Sequence, residues 1–349
     1  MRINSIQTFT SYGSDGGSTR VRVFDWLNHL GLEADSFTYL GRATNSLSTL
    51  LKEPFRIPGA EARLRTQLRG LENKTVLLSR QASPFSNGHT EQTLLKRAAR
   101  GVYDFDDAIM QTLPTVRERI WSKREVWRRA STAADVVIAG NDYLAEQASQ
   151  INSNVVVIPS CVEPSSYLKK VVYSIDSPLA VWLGSPATEK YLRGIEESLL
   201  ALHKSHGLRV LVISAGKASL GNLDRMVDRR EWGPATYQEE LVKADFGIMP
   251  LDDTLWSRGK CAYKLLQYGV VGLPMIGSAV GANEAVLRMS DGIAVTTSSE
   301  WHDAMEALIT EGEGRRLMRG RTGRAAIEQS FSFSSWSDGW RKAMGLSPG

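Results

Sequence analysis

Short apolar runs separated by longer stretches of helical periodicity recur along the whole chain, and no other feature limits its fold as tightly. Runs at 2–7, 36–40, 75–79, 102–105, 136–139 and 155–158 read as strands in the first half, and runs at 179–183, 209–214, 246–249, 273–277 and 292–295 in the second. Alternation of such runs with helical spacers predicts parallel sheets covered by helices on both faces, an α/β architecture. At 349 residues the chain exceeds what one hydrophobic core usually organises, so two domains are expected. The stretch 163–178 mixes proline, serine and charge as an interdomain connection does, which sets the expected domains at 1–165 and 166–330, followed by a terminal segment 331–349.

Composition narrows the setting. The chain is 42% hydrophobic and 23% charged, and it contains no apolar run of about 18 residues that would span a bilayer. Its first residues lack the apolar core of a signal peptide, so a cytoplasmic protein is expected. Two cysteines, Cys161 and Cys261, are too few for a disulfide framework or a zinc site. The net charge is +4, yet 114–130 holds six basic residues against two acidic ones, with Trp121 and Trp127 interleaved. A helix there is either a solvated face with inward tryptophans or a peripheral contact with the anionic inner face of a membrane; no nucleic-acid partner is expected.

The stretch 244–284 carries the most chemistry. An apolar run ends at Pro250, an acidic turn follows at Asp252 and Asp253, and the triplet Arg258, Gly259, Lys260 precedes a helical run. Free N–H groups and the positive end of the helix dipole at a helix start favour phosphate, and two cations sharpen that preference. Lys264, one turn on, is a third candidate phosphate contact. A second junction, Gly277 through Gly281, Ala282, Asn283 and Glu284, lies on the same expected sheet edge, where open α/β sheets bind ligands. Gly184, Ser185 and Lys190 form a further strand-to-helix loop, and Gly16 and Gly17 precede the first helix, where glycine lets backbone approach a ligand closely. Asp104, Asp106 and Asp107 fall at the end of a strand. Such packed carboxylates cap a helix, bind a metal or contact sugar hydroxyls.

The pattern DFGIMPL, then RGKCAYKLLQYGVVGLP, then GSAVGANEAV resembles the donor-binding segment of family 4 glycosyltransferases, and weaker motifs extend the resemblance over most of the chain. That family implies the GT-B fold, two Rossmann-like domains whose parallel sheets face each other across a cleft, with a C-terminal helix returning to the first domain. It implies retaining transfer of a sugar from a nucleoside-diphosphate sugar to an acceptor hydroxyl, with no metal and no further cofactor. Gln267 stands where the family has a ribose-binding Glu and Gly259 where it has another acid, Ser185 replaces an Arg, and Lys190 matches a Lys. Arg258 and Lys260 would neutralise the leaving diphosphate, and Asp107 is the one carboxylate near the expected cleft able to act as a base. The alternatives are a sugar-nucleotide epimerase on the same fold and a catalytically silent relative that binds a membrane or a partner enzyme. Sugar, nucleobase and acceptor are not legible in these motifs.

Overall fold

A computed structural model describes residues 5–45, 47–112, 115–233 and 236–347. It contains two six-stranded sheets in which every neighbouring pair is parallel. The first is built from β1 (Ser5–Thr10), β2 (Ala34–Thr38), β3 (Lys74–Ser79), β4 (Arg100–Phe105), β5 (Val136–Ala139) and β6 (Val155–Val157), in the order β2-β1-β3-β4-β5-β6. The second contains β7 (Leu179–Leu183), β8 (Arg209–Ile213), β9 (Val227–Arg230), β10 (Phe246–Met249), β11 (Met275–Ser278) and β12 (Ile293–Val295), in the order β12-β11-β10-β7-β8-β9. Two compact units divide the chain. One comprises 1–160, 259–261 and 333–349; the other comprises 161–258 and 262–332.

Why these runs become strands is plainest in β7. Val181 and Leu183 pack into the cluster on one face with Leu265 and Tyr268, while Ala180 and Trp182 pack into the cluster on the other face with Leu199 and Leu202. Both faces are therefore apolar, as parallel sheets under helices require. The edge strand β9 was not expected, because VDRR holds one apolar residue and its side chains are no more than half-buried. The residues expected to form a single helix from the 184–188 loop onward instead adopt a 3-10 helix over Pro186–Ile195 before the α-helix Glu196–His206.

The basic region 114–130 also departs from expectation. Pro114 lies outside the described residues, and the remainder is two helices, Val116–Ile120 and Lys123–Ala133. Ser122 breaks the run, its hydroxyl accepting the Glu125 N–H at 3.2 Å as the N-cap of the second helix. Trp127 is buried edge-on against Phe105, as the solvated-face alternative expects, and Arg128 and Arg129 both pair with Glu125.

In the first unit the helix Phe333–Met344 is pinned through aromatic packing. Trp340 stacks on Trp26 with centroids 5.4 Å apart, Phe333 meets the edge of the same ring at 4.9 Å, and Arg100 donates to the Ala343 carbonyl at 2.7 Å. Trp26 and Trp340 are almost wholly buried. Truncating such a side chain removes its transfer energy and leaves a cavity, a loss of about 3–5 kcal/mol. Trp340→Ala is expected to destabilise the first unit by that amount and leave the second unit's transition in place, as urea unfolding followed by hydrogen exchange on peptides of each unit would show.

Candidate functional site

In each sheet the chain reverses its direction of growth once, and the crevice at the carboxyl ends beside such a reversal is where open α/β sheets take ligands. In the first sheet the reversal lies between β1 and β3. The residue following β3 is Arg80, whose φ of 61° places a non-glycine side chain in the left-handed region. Its Nε donates to Asp106 at 2.8 Å, its Nη2 pairs with Asp107, and Lys260 Nζ reaches the other Asp107 oxygen at 2.6 Å. Ser18, in the first turn of a helical stretch that begins at Gly17, donates its hydroxyl to Asp106 at 2.7 Å. Below these groups lies a fully buried pair: Arg22 donates to Asp104 through Nη2 at 2.6 Å and to the Ile158 carbonyl through Nη1 at 2.8 Å.

The three aspartates are thus a charge-compensated set. Burial alone would raise the Asp106 carboxyl, but Arg80, Arg22 and the Ser18 hydroxyl outweigh it and hold it below the ordinary aspartate range. For Asp104, burial dominates and pushes the carboxyl up against the pull of Arg22, whose guanidinium is held protonated by the same pair. Neither Asp106 nor Asp107 caps the short helix Ile109–Gln111, whose N-cap is Ala108 with no side-chain bond. Among the described residues no group of three or more His, Cys, Asp or Glu is placed to hold a metal ion. Gly16 and Gly17 divide in role: a Cβ on Gly16 would lie 2.6 Å from that of Tyr12, whereas Gly17 has open space around it.

In the second sheet the reversal lies between β7 and β10. These strands pair at only two positions, Phe246 with Ala180 and Gly247 with Val181. Beyond them the Tyr268 hydroxyl bridges the strands, accepting from Leu183 N at 3.0 Å and donating to the Ile248 carbonyl at 3.3 Å. Gly184 follows β7 and is needed for space, since a Cβ there would stand 2.6 Å from the Trp182 ring and 2.7 Å from Lys264 Cε. Lys264 lies over that ring with its ammonium 5.4 Å from the centroid. Ser185 and Thr188 are within 3.4 Å of each other at the loop, and the exposed Lys190 lies over its neighbour Tyr191.

The basic triplet departs from expectation. Gly259 and Lys260 do not start a helix: Arg258 ends the short helix Leu255–Arg258, and the next, Tyr263–Val271, begins after Ala262, whose φ is 52°. Arg258 forms a fork with Asp253 at 2.7 and 2.9 Å. Lys260 and Cys261 belong to the first unit, where Asn141 Nδ2 donates to the Lys260 carbonyl at 3.0 Å and the Cys261 thiol donates to the Asp106 carbonyl at 3.2 Å. The turn after β11 matches expectation. Gly281, at φ 56°, brings its Cα so close to Arg258 that a Cβ would lie 2.5 Å from that carbonyl oxygen, and the helix Ala282–Met289 follows. Asn283 is fully buried with Oδ1 unpartnered, Gln267 is buried, and Glu284 is exposed in the first helical turn.

Sequence reasoning missed Arg80, Arg22, Ser18 and Tyr268, because each acquires its role from a partner remote in the chain. Only Arg80 carried a hint, as a cation directly after an apolar run.

Two outcomes follow from these charges. Asp106 is deprotonated in the folded protein below the pH at which it would take up a proton in the unfolded chain. Its stabilisation is therefore complete above about pH 4 and is lost as pH falls through the depressed folded value. Asp106→Asn should lower the urea midpoint at pH 7 and flatten its decline below about pH 4. Burial, with Asp106 nearby, pushes the Cys261 thiol up to about 12. Mass spectrometry should find Cys261 unlabelled by iodoacetamide at pH 8 in the native protein and labelled after denaturation.

No protein-family model matches the chain, and no curated protein does. Solved structures do. The Anabaena protein HepE in complex with UDP-glucose superposes with a TM-score of 0.70 at 12% identity, covering 98% of this chain and 99% of that one. WaaG, a glycosyltransferase involved in lipopolysaccharide biosynthesis, gives 0.67 at 13% identity over 99% and 100%. TarM gives 0.63 at 12% identity over 81% of this chain, which spans 57% of TarM. Two parallel six-stranded sheets under helices, in this strand order and with these neighbours, make the fold that of the GT-B glycosyltransferases.

Proposed function

We propose that the protein is a retaining glycosyltransferase of the family 4 kind, moving a sugar from a nucleoside-diphosphate sugar to an acceptor hydroxyl. The observation that carries this reading is the reversal point of the second sheet, where Gly184, Lys264, Arg258 and the turn at Gly281 gather at neighbouring strand ends. The Anabaena neighbour that shares the fold over nearly its full length was solved with UDP-glucose, which supports a nucleoside-diphosphate sugar as the donor. In this reading Arg258 and Lys264 face the diphosphate, with Lys190 and the Ser185 and Thr188 hydroxyls at its margin. Gln267 takes the ribose, and Gly281, Ala282, Asn283 and Glu284 border the donor sugar. Lys260, engaged by Asp107, contributes less to donor binding than its place in the sequence suggests.

The pairing of Asp107 supports retention. An inverting transferase needs a general base opposite the leaving group. Asp107 is clamped between Arg80 and Lys260, which engages both of its oxygens and restricts its movement. With the base thus disfavoured, the bond from the anomeric carbon to phosphate breaks on the face where the acceptor oxygen bonds, and the departing phosphate oxygen takes the acceptor's proton. Cations on the leaving group lower that barrier electrostatically.

Calorimetric titration with UDP, GDP, ADP and dTDP tests the donor site. One of these should bind, with Lys264→Ala and Arg258→Ala each at least tenfold weaker; equal affinity in both variants removes the assignment. Proton NMR of the product linkage should show the donor's anomeric configuration in both the native enzyme and Asp107→Asn, the latter turning over more slowly. An inverted product would overturn the mechanism.

A further inference from the structure

A side chain is spliced into the strand gap beside the proposed donor crevice. β7 and β10 are in register at Ala180 with Phe246 and at Val181 with Gly247, and there the ladder stops, although β7 runs on to Leu183 and β10 to Met249. Continued one step, the same parallel register would join the Leu183 N–H directly to the Ile248 carbonyl. Instead that N–H donates to the Tyr268 hydroxyl at 3.0 Å, and the hydroxyl donates to the carbonyl at 3.3 Å. The two strands are thus held a hydroxyl apart at the point where the sheet reverses its direction of growth. Tyr268 is fully buried and reaches the gap across Gly247, where a Cβ would stand 2.4 Å from its ring. A side chain at 247 would close that route.

The same residue seats a helix. Tyr268 and Lys264 are four positions apart in the helix Tyr263–Val271 and share one of its faces. With its hydroxyl tied to both strands, Tyr268 fixes how that face meets the end of β7. Lys264 then lies with its ammonium 5.4 Å from the Trp182 ring centroid and its Cε 2.7 Å from where a Cβ on Gly184 would stand. Leu183, whose N–H the hydroxyl holds, directly precedes Gly184. On the other side of β10 the Ser278 hydroxyl does the corresponding work, accepting from the Leu251 N–H and donating to the Leu251 carbonyl, both at 2.9 Å. Side-chain hydroxyls, rather than ladder bonds, therefore space the ends of β7, β10 and β11.

We propose that Tyr268 is a positioning residue for a nucleoside-diphosphate donor: its hydroxyl holds β7 and β10 apart and sets Lys264 against the Gly184 loop at the spacing a diphosphate needs. The inference rests on the donor-site reading given above. Removing the hydroxyl leaves a buried N–H and a buried carbonyl that either go unpaired or close on each other, and in both cases Lys264 and the Gly184 loop shift. Calorimetric titration of the native chain, Tyr268→Phe, Lys264→Ala and the double variant with UDP, GDP, ADP and dTDP tests this. Tyr268→Phe should bind the preferred diphosphate about tenfold more weakly than the native chain, but the same change should cost under about twofold in a chain already lacking Lys264, because the hydroxyl acts through that cation. A side chain that only supports the fold would give the same loss in both backgrounds. Leu199→Ala, a truncation of the buried cluster on one face of the same sheet, controls for lost stability and should leave affinity unchanged. Unchanged affinity in Tyr268→Phe, an equal loss in both backgrounds, an equal loss in Leu199→Ala, or a Tyr268→Phe chain that does not fold overturns the proposal. If the native chain binds none of the four diphosphates, the donor-site reading falls and this inference with it. If it binds one and Tyr268→Phe binds it equally well, only this inference falls.

Discussion

Parallel strands buried on both faces leave one kind of place for polar chemistry, and the remainder of this molecule follows from that constraint. A strand such as β7, with Val181 and Leu183 on one side and Ala180 and Trp182 on the other, has no wet face on which to display a functional group. Polar side chains are driven to the carboxyl ends, where the connections emerge. In both sheets the departures from simple packing collect there: the left-handed backbone at Arg80, the strand gap filled by the Tyr268 hydroxyl and the close approach at Gly281.

The two strand ends solve different problems. In the first unit three carboxylates are brought near one another and would repel. The protein offsets this with Arg22 on Asp104, Arg80 on Asp106 and Asp107, and Lys260 on Asp107. Removing one partner of a buried pair leaves an uncompensated charge, so such a network is held together by what breaking it would cost as much as by any net gain in forming it. In the second unit the cations Lys264 and Arg258 lie nearer water, one along the Trp182 ring and the other in an exposed fork with Asp253.

The left-handed conformation at Arg80 has a structural rationale. Its N–H donates to the Asp104 carbonyl at 2.9 Å and its own carbonyl accepts from the Tyr103 hydroxyl at 3.0 Å, so neighbouring β4 dictates the backbone while the side chain serves Asp106 and Asp107. Strain of this kind persists where surrounding contacts over-determine it.

The periodicity of the chain determined its architecture. Apolar runs such as 136–139, 179–183 and 246–249 became strands with the expected bounds, because a run short enough to be a strand and apolar on both sides has one place to go in an α/β layer. The glycine turn at 281 was legible for a similar reason: only local backbone freedom was at issue. The polar edge strand β9 was not legible, since pairing with β8 rather than its own composition makes it a strand. Nor was the fate of the cations. Arg258 and Lys260 are two residues apart, yet the tertiary structure gives one to Asp253 and the other to Asp107, and it delivers Arg80 and Arg22 to aspartates 26 and 82 positions away. Local pattern fixes which segments are buried, because burial follows from the side chains a segment carries. Ion pairing between distant segments depends on where the folded sheets bring their ends, and only the tertiary structure decides that.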